Sequence, residues 1–192
     1  MNKLNELVKH LRRGNVYRRA DLEQWSSAVD RHLGELLQNE TLQKLSQGLY
    51  YYPKKTAFGL APPDEAALVR SFLKDDAFLL TSPNAYNTLG VGTTQLYNKR
   101  VVYNHKRHGE FELGGRTFFF HLKPRFPKKL TPEFLLVDLV NNLDTLAEDT
   151  QKVLSMIKTK AKTMDVKKLR KAVQAYGGVR AKKVFIPLFN GI

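Results

Sequence analysis

The order of segments in residues 1–60 constrains the fold more than any other feature of the sequence. Three stretches with helical spacing of apolar residues follow one another: KLNELVKHLRR, VYRRADLEQW and AVDRHLGELLQ. Gly14-Asn15 ends the first helix, and Ser26-Ser27 supplies a turn and an N-cap between the second and the third. A helix, a short helix, a tight turn and a helix form the helix-turn-helix order. The positions predicted to be buried are Leu4, Leu7, Val8, Leu11, Leu22, Trp25, Val29, Leu33, Leu36 and Leu37.

A β-hairpin is predicted directly after these helices, in the stretch TLQKLSQGLYYYPKK. Residues 42–45 and 49–52 are the two strands, and Ser46-Gln47-Gly48 is the turn, in which Gly48 can adopt a positive φ. Pro53 ends the pairing because it has no amide hydrogen to donate. A helix-turn-helix followed by a hairpin is the pattern of a winged helix. Tyr50, Tyr51 and Tyr52 are expected to pack on the core rather than to stack on bases.

The rest of the chain predicts a second domain, so the proposed division is residues 1–60 and residues 61–192. TAFGLAPPDE is interpreted as a linker and EAALVRSFLK as a helix. Strands around the Gly114-Gly115 turn follow, and Thr131-Pro132-Glu133 begins one long helix or two helices in line. A further helix begins near Asp165, and KKVFIPLF is expected to be an apolar strand or a docking segment. The expected fold class is α+β: an N-terminal winged helix-turn-helix, then a mixed α/β domain with a small antiparallel sheet and long helices.

The charge of the chain indicates a polyanionic partner. Thirty-two Lys and Arg face 18 Asp and Glu, which gives a net charge of +14 and a pI near 9.9. There is no cysteine, which excludes disulfides and thiolate metal sites and is typical of a cytoplasmic protein. No apolar run is long enough to cross a bilayer, and the N-terminus lacks the apolar core of a signal peptide.

The residues predicted to contact DNA lie on the third helix, at the start of the second and on the hairpin. Arg31 on the third helix could bind guanine through two hydrogen bonds, and Asp30 could accept from cytosine or orient Arg31. The alternative for all these residues is an ordinary solvated surface. The full set, including the lysines that follow the wing, is Arg18, Arg19, Ser26, Ser27, Asp30, Arg31, Lys44, Gln47, Lys54 and Lys55.

A second basic cluster lies near the C-terminus. Between Lys152 and Lys183 there are eleven Lys or Arg and one acidic residue, Asp165. A solvated helix face usually carries both signs, so this bias favours DNA, RNA or an acidic protein surface as the partner. The cluster is defined as Lys167, Lys168, Arg170, Lys171, Arg180, Lys182 and Lys183.

No motif in the sequence predicts catalysis, a metal or a cofactor. His105 and His108 are three residues apart, but on a strand they would point to opposite faces and no set of carboxylates completes a site. The stretch GVGTT lacks the spacing of a phosphate-binding loop. The expectation is therefore a binding protein rather than an enzyme.

Two segments resemble a known family. GLYYYPKKTAFG and SPNAYNTLGVGTTQLYNKRVVYNHKRHGEFELGGRTFFF are similar to the AbiEi family of antitoxins and transcriptional regulators from type IV toxin–antitoxin systems. The resemblance covers residues 14–120, and the C-terminal helices agree only in general character. It implies an N-terminal winged helix that represses its own promoter, with Ser26, Ser27 and Arg31 on the recognition helix and Lys44 and Gln47 on the wing.

The resemblance also implies a C-terminal domain that counters a nucleotidyltransferase-like toxin. Three alternatives stay open: a stand-alone regulator without a toxin, a nuclease that uses the region of His105 and His108, and an RNA-binding module. The expected form is a monomer or a weak dimer acting in the cytoplasm, with no membrane partner.

Overall fold

The computed structural model describes residues 3–190 of an α+β protein, and this class agrees with the sequence prediction. Internal contacts divide the chain into two compact units. Unit 1 comprises Met1–Asp76 and Glu110–Thr117, and unit 2 comprises Ala77–Gly109 and Phe118–Ile192.

Unit 1 begins with three helices and a three-stranded antiparallel sheet of order β1-β3-β2. Val16–Arg18 was expected to be helical, but it is a strand because it pairs with β3 from Val16↔Tyr51 to Arg18↔Leu49. The elements are α1 (Lys3–His10), β1 (Val16–Arg18), α2 (Arg19–Leu22) with a 3-10 turn (Glu23–Trp25), α3 (Val29–Gln38), β2 (Gln43–Ser46) and β3 (Leu49–Tyr51).

The core of this part of unit 1 confirms the apolar pattern of the sequence. Trp25 is half-buried and stacks on His10, with ring centroids 4.9 Å apart and nearly parallel planes. α3 turns one side to the core and leaves the opposite side in solvent. The buried members of this core are Leu7, Leu11, Tyr17, Leu22, Val29, Leu33, Leu36, Leu42 and Tyr50.

A second hairpin occupies most of the stretch that the sequence suggested was a linker. It consists of β4 (Lys54–Thr56) and β5 (Gly59–Ala61), which pair antiparallel. The Tyr51 hydroxyl donates to the Ala61 carbonyl at 2.9 Å, and Gly59 has a φ of 110°, which favours glycine. The linker interpretation was therefore wrong, because a tertiary hydrogen bond and a glycine turn hold these short strands together.

Unit 1 is completed by a helix and by the tip of another hairpin. α4 (Glu65–Leu73) begins at Asp64, whose carboxylate accepts from the Ala67 amide at 2.8 Å. The hairpin consists of β8 (Gly109–Leu113) and β9 (Arg116–Leu122), and its tip, residues 110–117, belongs to unit 1. In the predicted turn between these strands, the Gly114 amide donates to the Leu45 carbonyl at 2.9 Å.

Unit 2 combines strands with a helical layer. β6 (Phe78–Thr81) is antiparallel to β7 (Arg100–Asn104), and β7 is parallel to β9. The strand order of this sheet is β6-β7-β9-β8. A 3-10 segment, Pro83–Leu89, follows β6, as the Ser82-Pro83 pair indicates.

In unit 2, α5 (Pro132–Asn142) packs against the two helices Val166–Tyr176 and Val179–Phe189, and every residue from Phe134 to Val140 is buried. The apolar stripe that follows Thr131 forms two helices, separated by a 3-10 turn and a short loop, rather than one long helix. KKVFIPLF was expected to be a strand or docking segment, but it completes a helix whose Ala181 and Phe185, four residues apart, are buried. The helices are α5 (Pro132–Asn142) with a 3-10 turn (Leu143–Thr145), α6 (Thr150–Ala161), α7 (Val166–Tyr176) and α8 (Val179–Phe189).

Across residues 3–190, none of the helices has both the length and the apolar character needed to cross a membrane.

Candidate nucleic-acid interface

The predicted recognition helix, α3, has a solvent-exposed side. Asp30, Arg31, Gly34, Glu35 and Gln38 are exposed, whereas the apolar stripe of the helix is buried. The first turn of α3 opens on a hollow of about 380 Å³. Five predicted residues line this hollow: Arg19, Ser26, Ser27, Asp30 and Arg31. The structure therefore brings these five predicted residues together at one end of the helix.

Ser26 does not belong to the exposed surface on which the prediction placed it. It is buried, and its Oγ lies 2.7 Å from Nδ1 of His32, which is also buried. The Ala28 amide donates to the same oxygen at 3.2 Å. The N-cap position of α3 is Ala28, so the Ser26 side chain stabilises the turn from inside.

The predicted arginines at this end of unit 1 are paired with carboxylates. Arg19 makes two hydrogen bonds to Asp30, at 2.7 and 2.6 Å, and also pairs with Glu23. Hydrogen bonding to Arg19 lowers the pKa of Asp30, and hydrogen bonding to Asp30 and Glu23 raises the pKa of Arg19. The two charges of the Arg19–Asp30 pair therefore largely cancel at this surface.

The two remaining arginines of the set have their own carboxylate partners. Arg18 donates to Asp21 at 2.9 and 2.8 Å, and Arg31 lies 3.7 Å from Glu35. Asp30 was suggested as the residue that orients Arg31, but it pairs with Arg19 instead. Exposed pairs contribute little stability, so phosphate could replace these carboxylates at small cost.

The predicted wing is short. Lys44 and Gln47 are exposed, as expected, and Gly48 has a φ of 69° in the turn between β2 and β3. The Arg19 amide donates to the Gly48 carbonyl at 2.9 Å, which fixes the turn beside the start of α2. Lys54 and Lys55 are exposed on β4, so they belong to the second hairpin.

The three tyrosines confirm the expectation of core packing. Tyr51 is 1% exposed and Tyr50 is 8% exposed, whereas Tyr52 is half-buried. The Arg13 guanidinium lies 4.6 Å from the centre of the Tyr52 ring and donates to the Pro53 carbonyl at 3.2 Å. The aromatic run therefore serves the core of unit 1.

The C-terminal basic cluster lies on α7 and α8 in unit 2. Lys167, Lys168, Arg170 and Lys171 are exposed on α7. On α8, Lys182 and Lys183 are exposed, whereas Arg180 is half-buried and pairs with Asp144.

The net positive charge is concentrated in unit 2. Unit 1 holds 13 Lys and Arg against 12 Asp and Glu, and unit 2 holds 19 against 6. Unit 2 therefore carries almost all of the net positive charge of the chain.

Neither histidine of the 105–108 segment takes part in a cluster that could hold a metal. His105 stacks on Phe126 at 4.6 Å, and His108 meets the edge of His121 at 5.5 Å. Within residues 3–190, no group of three or more His, Asp or Glu is arranged to hold a metal ion.

Sequence reasoning missed a buried carboxylate, Asp138, at the centre of α5. It accepts hydrogen bonds from the Tyr86 hydroxyl at 2.7 Å and from the Tyr103 hydroxyl at 2.9 Å. Burial raises the pKa of Asp138, although these hydrogen bonds oppose the shift. The available signal was a single acidic residue inside the apolar run FLLVDLV, where a charge needs partners.

Comparison with protein families identifies one family. The model of a family described as "Family of unknown function (DUF6088)" matches residues 3–174. No curated protein matches the chain.

Proposed function

The chain belongs to the DUF6088 family, a family of unknown function, and we propose that this member is a winged-helix DNA-binding regulator. In this proposal α3 enters the major groove and the turn between β2 and β3 contacts the adjacent backbone. The protein represses transcription by occupying its own promoter in the cytoplasm.

One observation carries the proposal: the order and pairing of the elements in unit 1. Three helices are followed by strands that close the sheet β1-β3-β2, and the last of the three helices keeps an exposed side. The hydrogen bond from Arg19 to Gly48 places the β2–β3 turn beside the start of α2. A helix-turn-helix that presents its second helix beside a hairpin has the shape that fits a duplex groove.

The charge distribution supports different roles for the two units in DNA binding. Unit 1 is nearly neutral, so its contacts serve base reading more than attraction. The basic cluster of α7 and α8 in unit 2 supplies phosphate contacts and makes association sensitive to salt.

A gel-shift assay with the native upstream region and a scrambled duplex of equal length tests the proposal. Arg31→Ala should weaken binding to the native duplex by about 1–3 kcal/mol, roughly tenfold to a hundredfold, and leave the scrambled duplex nearly unchanged. Arg12→Ala, which removes one exposed cation of unit 1 outside α3, is the matched control. Equal loss on both duplexes, or no loss on the native one, would count against base reading by α3.

The resemblance to AbiEi proteins extends the proposal to an antitoxin of a type IV toxin–antitoxin system. The target would be a nucleotidyltransferase-like toxin, and unit 2 would carry the neutralising activity. Co-expression with a toxin of this kind encoded beside the gene should restore growth, and Arg31→Ala should still restore it when both genes have a foreign promoter. If co-expression does not restore growth, or if no such gene is present, the stand-alone regulator is the better description.

A further inference from the structure

A small cavity in unit 2, lined by both polar and apolar residues, has no role in the proposed DNA contacts. Its volume is about 120 Å³, which is enough for several water molecules and hence for one phosphate group. The 3-10 segment after β6, the loop before β7, strand β9 and the end of α5 contribute its walls. The polar residues that matter are Tyr86, Tyr97, Lys99, Tyr103, His121 and Asn142.

One wall of the cavity is fixed by the buried Asp138. The tyrosine hydroxyls of this wall, Tyr86 and Tyr103, donate to its carboxylate. The Asn142 amide donates to both hydroxyl oxygens at 3.3 Å and to the Asp138 carbonyl at 2.8 Å. Both carboxylate oxygens therefore already accept hydrogen bonds, and the wall is rigid before any ligand arrives.

Three other lining residues, Tyr97, Lys99 and His121, carry donors that have no acceptor among residues 3–190. The Lys99 ammonium forms no ion pair there and lies 4.6 Å from the centre of the Phe119 ring. Within the same range, the His121 ring nitrogens make no hydrogen bond. The Tyr97 hydroxyl accepts from the Ala147 amide at 2.9 Å, which leaves its own proton to donate.

Positive charge surrounds His121. Burial lowers the pKa of His121, and His108, Lys99 and Lys123 lower it further. Tyr103, another polar neighbour of the ring, meets it edge-on at 6.2 Å. An anion next to the imidazole would relieve this repulsion and favour the charged form.

We propose that this cavity binds a phosphate group through Lys99, His121 and Tyr97. The three donors face a space of suitable size, and the buried carboxylate beside it, Asp138, is already satisfied. Hydrogen bonds from a cation and an imidazole to phosphate are of the strong, charge-assisted kind. The phosphate comes from a free nucleotide or from the end of a nucleic-acid strand.

NMR of the histidine rings and calorimetry test the site in the full-length protein. The probes are inorganic phosphate, a nucleoside 5′-monophosphate, and a short single strand with a 5′-phosphate or a 5′-hydroxyl. The variants are Lys99→Gln, Tyr97→Phe and a control, Lys158→Gln, which removes an exposed charge of α6 outside the cavity.

We expect phosphate to shift the His121 signals saturably. The pKa of His121 should be higher in phosphate than in chloride solution of the same ionic strength. Lys99→Gln should weaken binding by at least about tenfold, whereas Lys158→Gln should change it by less than about twofold. If the nucleoside monophosphate binds more tightly than inorganic phosphate and the phosphorylated strand, a nucleotide is the source of the phosphate. Tighter binding of the 5′-phosphorylated strand than of its hydroxyl form identifies a strand end.

No saturable shift with any phosphate probe, or equal affinity of Lys99→Gln and the wild type, would overturn the proposal. The same holds if the 5′-hydroxyl and 5′-phosphate strands bind equally and the small phosphates do not bind. These experiments contain no duplex, so their outcome is independent of the gel-shift assay on α3.

Discussion

At the scale of single residues, the buried pair Ser26 and His32 stabilises the turn that precedes α3. Ser26→Ala removes the only hydrogen-bond partner of His32 Nδ1 among the described residues and should lower the free energy of unfolding by about 1–3 kcal/mol. Ser27→Ala, at the exposed neighbouring position, should change it by less than about 0.5 kcal/mol. Denaturant unfolding compares the two variants, and equal effects would show that the Ser26 contact does not stabilise the turn.

Asp138 makes the stability of unit 2 depend on pH. Its pKa is raised by burial, so between the unfolded value, about 3.9, and the folded value the native state binds more protons than the unfolded state. This contribution to stability is complete below the unfolded pKa and is lost as the pH rises through the folded pKa.

Asp138→Asn should remove this pH dependence while keeping an acceptor oxygen for the tyrosines. Unfolding measured from about pH 4 to about pH 8 should therefore give a flatter profile for the variant than for the wild type. Glu110→Gln, which changes an exposed carboxylate in unit 1, should keep the wild-type profile. Identical profiles for Asp138→Asn and the wild type would contradict this account.

At the scale of elements, the turn between β8 and β9 provides a matched pair of glycines. Gly114 and Gly115 both have positive φ, so alanine at either position costs about 1 kcal/mol or more. A Cβ on Gly114 would also lie 3.0 Å from the Leu45 side chain, whereas one on Gly115 meets no atom within 4 Å. Thermal unfolding should show Gly114→Ala to be the more destabilised variant. If Gly114→Ala is no less stable than Gly115→Ala, the Leu45 side chain moves aside without a measurable cost in stability.

The elements that sequence reasoning found are those whose signals are local. The three N-terminal helices follow apolar spacing, and Thr131 caps α5 by accepting from the Phe134 amide at 3.2 Å, as its position before Pro132 predicts. Periodicity and capping depend on neighbours within one or two turns, so a single sequence contains them.

The elements that it missed depend on distant partners. β1 is a strand because β3 pairs with it, and the β4–β5 hairpin depends on Tyr51 reaching Ala61. Strand propensity is set largely by such context. KKVFIPLF was expected to be an apolar strand or a docking segment, but it is helical, and its proline, Pro187, lies near the end of α8, after the buried Phe185.

At the scale of the whole molecule, the sequence predicted the sign of the charge, and the contacts show which unit carries it. Residues 1–60 hold 10 Lys and Arg against 6 Asp and Glu, and unit 1 becomes nearly neutral because residues 61–76 and the tip 110–117 together add 3 against 6. The individual residues of the candidate interface were predicted from the sequence. The carboxylate partners of its arginines were not, because these pairs depend on which residues the fold brings together.

The concentration of positive charge in unit 2 predicts that the salt dependence of DNA binding comes mainly from α7 and α8 rather than from α3. The triple variant Lys167→Gln, Lys168→Gln, Lys171→Gln should flatten the slope of log K against log salt by about 0.9 for each phosphate that the variant no longer neutralises. Arg31→Ala should leave most of the slope in place. Binding measured between low and physiological salt tests this, and an unchanged slope for the triple variant would remove α7 from the interface.

The stacked pair of His10 and Trp25 gives the protein a built-in optical reporter. Trp25 is the single tryptophan of the chain and lies in unit 1, so emission excited at the red edge of the protein absorption band observes that unit alone. Far-ultraviolet dichroism instead registers the helices of both units. Coincident melting curves from the two signals would indicate one cooperative transition, and separated curves would assign a melting temperature to each unit without any label.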